Sequence, residues 1–425
     1  MNRRRPRPLP VSIVELVIER LGTDGAGLAR QGGRIVAVPD ALPGESVQVR
    51  LGAAVTVLER HSASPDRVPP PCPHFGVCGG CVLQHLAAIP YAAFKRDLIQ
   101  AALSRQGLGA VPVRDAIVSP PGSRRRVRLE ARRVGAGTVL GFHGRASHQI
   151  VDLAACPIAR PELVALFPVL RDFCRALLKP GETAAILLTA TESGIDVGFD
   201  LPAEPALAAL ELLSGFAQPP VARIWWRTAG AAPMLAAQHE AFRVRFGEIP
   251  VELPFGAFLQ ATAEGEAALV EAVREGLGGA SRVADLFAGC GTFTLALAAG
   301  RVLHAVESDA ASLGALAAAV RRSQLVRVTT ERRDLDSRPL LPAELARYDA
   351  VIFDPPRAGA RAQVEMLAQS TVPVVLGVSC DPATFARDAA VLVGAGYRLD
   401  WVVPVDQFLW SSHVELVGCF RRGPG

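Results

Sequence analysis

Lysine is almost missing from this chain of 425 residues. It occurs only at Lys95 and Lys179, and arginine carries nearly all the positive charge. No apolar run reaches the ~18 residues a membrane span needs, so no membrane partner is expected. The basic N-terminus is not followed by an apolar signal core before Glu15 and Glu19, which predicts a cytoplasmic protein. The net charge is only +4, which admits a nucleic-acid partner without requiring one. Internal repeats are lacking too. Half the residues are apolar, enough for a full-sized core and against global disorder.

Basic residues do cluster locally. Arg3, Arg4, Arg5 and Arg7 open the chain, the pattern of a solvated arm or a nucleic-acid contact. Arg124, Arg125, Arg126, Arg128, Arg132 and Arg133 form a second group. Interleaved with Val127 and Leu129, it reads as a strand with one basic side.

The length predicts two or three domains. Residues 1–60 read as short strands punctuated by glycine turns, with one strand at Arg34–Val38, the pattern of a small closed barrel of the OB type. Residues 61–73 are proline-rich and read as a linker, and 91–105 has helical periodicity. Residues 61–250 form a central α+β region without a clear motif beyond its cysteines. From 251 to 425, apolar runs at 282–287, 302–306, 350–353 and 374–378 alternate with alanine-rich helical stretches, predicting a doubly wound, Rossmann-like α/β domain.

Eight cysteines in a long cytosolic chain suggest metal binding or catalysis, not disulfides. Cys72, Cys78 and Cys81 fall within ten residues, and Cys156 precedes a proline as Cys72 does. Four thiolates hold zinc or an iron–sulfur cluster. Zinc knuckles usually come as two CxxC pairs; the single pair here favours a closed cubane cluster. Gly79 and Gly80 allow the tight turn that such ligands need. Cys174 and Cys419 fit ordinary buried cysteine better.

Asp285-Leu-Phe-Ala-Gly289-Cys-Gly291-Thr292 follows an apolar run and opens a helix, so the backbone can approach a ligand at the sheet's carboxyl edge. Glu307 ends the next strand, where a carboxylate accepts from ribose hydroxyls, and Asp334 follows the strand after that, within expected reach of an adenine amino group. Asp354-Pro-Pro-Arg357 fixes another carboxylate at the same edge. Arg357 stands where methylases of exocyclic amines carry an aromatic, which argues against that chemistry. Ser379-Cys380-Asp381-Pro382 ends the next strand, and a helix N-terminus with a nearby arginine is expected to favour the Cys380 thiolate. Carbon 5 of uracil is a poor nucleophile; thiolate addition at carbon 6 activates it, and a base must then remove the carbon 5 proton. His413-Val-Glu415 lies on a predicted strand, with Glu415 the candidate base and Asp406 and His413 in support.

Together these motifs resemble the RNA uracil-5-methyltransferases, especially the iron–sulfur branch acting on 23S ribosomal RNA, over nearly the whole chain. The resemblance implies an N-terminal TRAM domain and a C-terminal class I methyltransferase domain. It implies S-adenosylmethionine as methyl donor and a [4Fe–4S] cluster on Cys72, Cys78, Cys81 and Cys156. It implies Cys380 as nucleophile and Glu415 as base. Gln260 of Phe258-Leu-Gln260, with Phe287, Thr292, Glu307, Asp334 and Asp354, falls on donor-site positions. The implied partner is RNA, 23S rRNA first and tRNA second, met by a monomer that flips out its target base. Thr262, Thr292 and Asp381 stand where the family commonly has asparagine. A cytidine C5 enzyme would be expected to show a Pro-Cys nucleophile, which Ser379-Cys380 lacks. A non-catalytic RNA-binding factor would be expected to have lost Cys380, Glu415 or the glycine turn, all of which are present.

Overall fold

In a computed structural model, residues 12–423 are described; the Arg3–Arg7 arginines lie outside them. The chain forms two compact units. The first comprises Met1–Phe94 with His143–Gln149 and Trp410–Ser412, and the second comprises the remainder.

In the first unit, six short strands make two three-stranded sheets. One orders Ser12–Val17, Ser46–Leu51 and Thr56–Ser62; the other orders Arg20–Leu21, Gly27–Gln31 and Arg34–Val38. Alternate residues point inward, so Leu16, Val36, Val38, Val47 and Val49 share one small core. The segment read as a linker is fastened down. Buried Glu45 accepts from Ser64 N–H at 3.2 Å and from Arg67 Nε at 2.5 Å. Burial works against its charge, but Arg67 and backbone amides overcome that and hold the carboxyl at about 2.

The second unit holds two large sheets. A seven-stranded sheet runs in the order Ile150–Asp152, Gly137–His143, Arg126–Val134, Thr183–Thr191, Gly194–Leu201, Val221–Thr228, Met234–Gln238. The expected basic strand is there: Val127, Leu129 and Ala131 are buried while Arg128 and Arg132 are exposed. Arg125 departs from the expected basic face. It is buried, paired with Glu266 at 2.5 Å, and donates to the Gln260 carbonyl at 2.9 Å.

The eight-stranded sheet orders Val328–Arg332, Val302–Glu307, Arg282–Leu286, Ala350–Phe353, Val374–Ser379, Glu415–Arg422, Tyr397–Asp406 and Ile117–Val118. Only Glu415–Arg422 runs against the others. Apolar clusters cover both faces, which is why its inner strands read as continuous hydrophobic runs. Strand order reverses between Arg282–Leu286 and Ala350–Phe353, and open α/β sheets bind ligands outside the carboxyl ends at such a switch point. Two contributors come from well before residue 251. Ile117–Val118 adds the edge strand, and Ile99 and Leu103 of helix Ala88–Arg105 enter the core beneath it. Among the described residues, no helix is long and apolar enough to cross a membrane.

Candidate active site

The carboxyl edge of the eight-stranded sheet gathers most of the residues expected from sequence. Between Arg282–Leu286 and the short helix Thr292–Ala296 the chain turns tightly, with Gly289 at φ +55° and Gly291 at φ +98°. A Cβ on Gly291 would stand 2.5 Å from Leu316 Cδ1, so packing as well as φ demands glycine there. Phe287 is also left-handed, at φ +62°. Such backbone in a bulky residue costs of order 1–3 kcal/mol and clusters at ligand sites. Thr292 is the first residue of the helix.

Glu307 anchors the turn from the next strand. One carboxylate oxygen accepts from Gly289 N–H at 2.9 Å; the other accepts from Ser308 and Asp309 N–H, each at 2.7 Å. Ser308 Oγ also donates to that second oxygen at 3.1 Å, so the oxygen facing Gly289 is the one that keeps a lone pair for a ligand hydroxyl. Asp334 is different. It is exposed, and its carboxylate closes its own turn by accepting from Ser337 Oγ at 2.8 Å and Asp336 N–H at 3.0 Å, which lower its pKa.

Deeper in, Asp285 accepts from Thr294 N–H at 2.9 Å and Thr294 Oγ1 at 2.5 Å, while its other oxygen has no partner. Burial pushes Asp285 up to about 7. Asp354 is also pushed up to about 7, by burial and then by the Asp285 charge. Gln260 points its amide nitrogen at Asp354, 3.4 Å away. Its amide oxygen accepts from Gln407 Nε2 at 2.7 Å, and Gln407 also accepts from Thr262 N–H at 3.4 Å. Phe258, two residues earlier, is exposed.

Thr262 is buried and caps helix Ala263–Leu277, accepting from Gly265 N–H at 3.0 Å while sharing a hydrogen bond with Ser119 at 2.8 Å. Asp381 caps helix Pro382–Gly394, accepting from Ala383 and Thr384 N–H at 2.8 and 2.9 Å. Two of the three departures from asparagine, Thr262 and Asp381, are therefore helix caps, a role threonine and aspartate fill as asparagine does.

Cys380 follows strand Val374–Ser379, and Glu415 opens the neighbouring antiparallel strand. Burial pushes the Cys380 thiol up to about 11, Glu415 and Asp354 add to the rise, and Arg357 opposes them. The expected thiolate-favouring environment is thus reversed. The helix N-terminus is occupied by the Asp381 carboxylate, and two acids outweigh one arginine. Glu415 is buried and pushed up to about 8 by burial and then by Asp354, again against Arg357. Cys380, Glu415, Asp354 and Arg357 therefore form one electrostatically coupled group. Glu415 at this value can exchange a proton near neutral pH.

His413 lies at the surface of the site, its ring edge-on to Phe408 at 6.1 Å, with Arg124 over the other ring at 5.7 Å. Asp406 does not join this group; it is fully buried and paired with Lys95 at 3.0 Å. Lys95 and Gln407 carried no sequence signal. Their partners lie far away along the chain, and only the near-absence of lysine hinted at a special position.

Cys72, Cys78 and Cys81 lie in the first unit and Cys156 in the second. Burial raises the Cys78 thiol, the Gly80 N–H to its Sγ at 3.4 Å opposes this, and neighbouring Cys72 adds to it. Among the described residues, no group of three or more metal-ligating side chains is gathered as a metal site. Cys174, Cys290 and Cys419 are buried in the core.

The model of the tRNA (uracil-5-)-methyltransferase family matches residues 239–422, and that of the TRAM domain matches residues 9–54. An uncharacterized RNA methyltransferase of Brucella suis biovar 1 is 42% identical over 418 residues, covering 96% of this chain and 98% of that protein. The 23S rRNA (uracil(1939)-C(5))-methyltransferase RlmD of Chromohalobacter salexigens is 38% identical over 424 residues, covering 94% of this chain and 87% of that protein. The chain belongs to the RNA (uracil-5-)-methyltransferase family. The family fold extends to a distant relative: the structure of Pyrococcus abyssi tRNA (uracil-54, C5)-methyltransferase in complex with S-adenosyl-L-homocysteine aligns with a TM-score of 0.73 at 23% identity, covering 96% of this chain and all of that one.

Proposed function

We propose that this RNA (uracil-5-)-methyltransferase moves a methyl group from S-adenosylmethionine to carbon 5 of a uridine in 23S ribosomal RNA. The convergence of Cys380, Glu415, Asp354 and Arg357 at the switch-point edge carries the reading. The donor supplies an electrophilic methyl group; Gln260, Phe287, Thr292, Glu307, Asp334 and Asp354 are the residues proposed to hold it. The glycine turn with Phe287 held left-handed, and the lone pair left on the Glu307 oxygen that faces Gly289, suit such a ligand.

Cys380 Sγ, once deprotonated, bonds to carbon 6 of the uracil, and the displaced electron pair makes carbon 5 nucleophilic. After methylation of carbon 5, Glu415 takes its remaining proton. The freed pair restores the ring double bond and breaks the bond to Sγ, returning the thiolate. Arg357 suits the negative charge that develops in the ring.

Ribosomal RNA is favoured because RlmD of Chromohalobacter salexigens is named for 23S rRNA and is far more similar than the archaeal tRNA enzyme. Mapping 5-methyluridine in rRNA and tRNA from a deletion strain tests this. Loss from 23S rRNA alone is expected, and loss from tRNA alone overturns it.

We also propose that Cys72, Cys78, Cys81 and Cys156 hold a [4Fe–4S] cluster. Three thiols within ten residues and a backbone amide already facing Cys78 Sγ fit cluster chemistry, in which amides donate to sulfur. Anaerobic preparations should contain iron and acid-labile sulfide; zinc without iron overturns the assignment.

A further inference from the structure

Lys95 is one of only two lysines in the chain, and it is fully buried within the second unit. Its ammonium pairs with Asp406 Oδ1 at 3.0 Å and donates to the backbone carbonyl of His413. Asp406 ends strand Tyr397–Asp406 and also accepts from Phe408 N–H at 3.0 Å. His413 lies just before strand Glu415–Arg422. One buried cation therefore grips both sides of the connection that delivers Glu415.

Such a cation is costly. Both partners leave water completely, and apolar residues of similar size would often be at least as stable. Charge confined to this place suggests a geometric task. The carbonyl that Lys95 holds belongs to the residue two before Glu415, so it fixes where the strand begins. Neither Lys95 nor Asp406 has exposed surface, so neither can touch RNA or donor.

We infer that Lys95, clamped to Asp406, is a positioning residue that sets the placement of Glu415 for proton removal from carbon 5, without a part in Cys380 addition. The inference rests on the proposed function. Cys380 follows strand Val374–Ser379, which is laddered to Leu416–Arg421, whereas Lys95 holds Asp406 and the His413 carbonyl before that ladder begins, so the ladder and not the clamp places Cys380.

The test separates the two half-reactions in the full-length protein. RNA carrying 5-fluorouridine accepts Cys380 and the methyl group but has no carbon 5 proton to lose, so adduct formation reads the first half alone. Turnover on ordinary uridine RNA reads both. The variant is Lys95→Met/Asp406→Asn, which leaves no unpaired buried charge and keeps an acceptor for Phe408 N–H. Its kcat on uridine RNA should fall roughly 10- to 100-fold with KM nearly unchanged, the scale of a small misplacement of a reacting group. The 5-fluorouridine adduct should form at the wild-type rate, and covalent protein–RNA species should accumulate on ordinary uridine. A proportional fall in both rates makes the clamp merely structural and overturns the inference, as does unchanged kcat. If the double variant does not fold, Lys95→Gln/Asp406→Asn, which also leaves no buried charge but keeps a polar group at both positions, is read by the same three measurements. Absence of any adduct with the wild-type protein instead overturns the proposed chemistry itself.

Discussion

Ser379 pairs with Leu416 across antiparallel strands, so Cys380 and Glu415 face each other one step beyond the last ladder pair. The nucleophile leaves one strand at the point where the base enters the other. Neither needs a long loop to reach the site, and rigid elements hold a reacting geometry better than loops do.

Cys380→Ala should abolish methylation and the adduct with 5-fluorouridine RNA. The thiol is only partly buried, so the melting temperature should stay within a few degrees. Denaturing gels of the protein–RNA mixture check the adduct, and a persistent adduct would assign the nucleophile elsewhere.

Glu415→Gln should slow methylation by about 100-fold or more and trap covalent RNA on ordinary uridine. Its effect on stability has the opposite sign. Glu415 is raised from 4.5 to about 8 in the folded protein, so the folded state holds a proton that the unfolded state releases. Its contribution to stability falls as pH rises from about 4.5 through about 8. The glutamine variant should therefore melt at the same or a higher temperature than wild type at pH 8, and a clearly lower temperature contradicts this.

The rate of product release should rise with pH and level off near or above pH 8. Glu415 must lose its proton to act, and the protonated form prevails below that value. The Cys380 thiol, held near 11, should make adduct formation rise over the same range and beyond it. Single-turnover profiles with uridine and 5-fluorouridine RNA separate the two limbs; a flat profile between pH 6 and 8 counts against both.

Much of this site was legible in the sequence. Buried parallel strands appear as apolar runs, and residues just after them stand at one edge by topology, so Cys380, Asp354 and Glu307 could be placed together without coordinates. The paired roles of Lys95 with Asp406, Gln407 with Gln260, and Arg125 with Glu266 were not legible. Each depends on which of many polar residues meets which across more than a hundred positions, and no local periodicity encodes that. The expectation for Cys380 missed for a related reason. Its ionisation depends on how many acids face it, a property of packing rather than of the motif.

Asp381→Asn should be close to silent. Both side chains accept the Ala383 and Thr384 amides, whereas Asp381→Ala should cost about 1 kcal/mol. The chain contains a single asparagine, Asn2, so replacement of asparagine at capping positions is in keeping with its composition. Thermal melts of the two variants distinguish capping from a catalytic role: if Asp381→Asn loses activity without losing stability, capping is not the whole account.

The burial of Lys95 has a practical side. Lys179 is exposed and is the only other lysine, so it offers the sole side-chain amine open to acylating reagents. The α-amino group apart, a dye, surface or photo-crosslinker coupled through amine chemistry will attach to the folded protein at this one side chain, remote in sequence from Cys380. Tethered probes can then follow RNA docking without cysteine labelling, which would threaten the nucleophile itself.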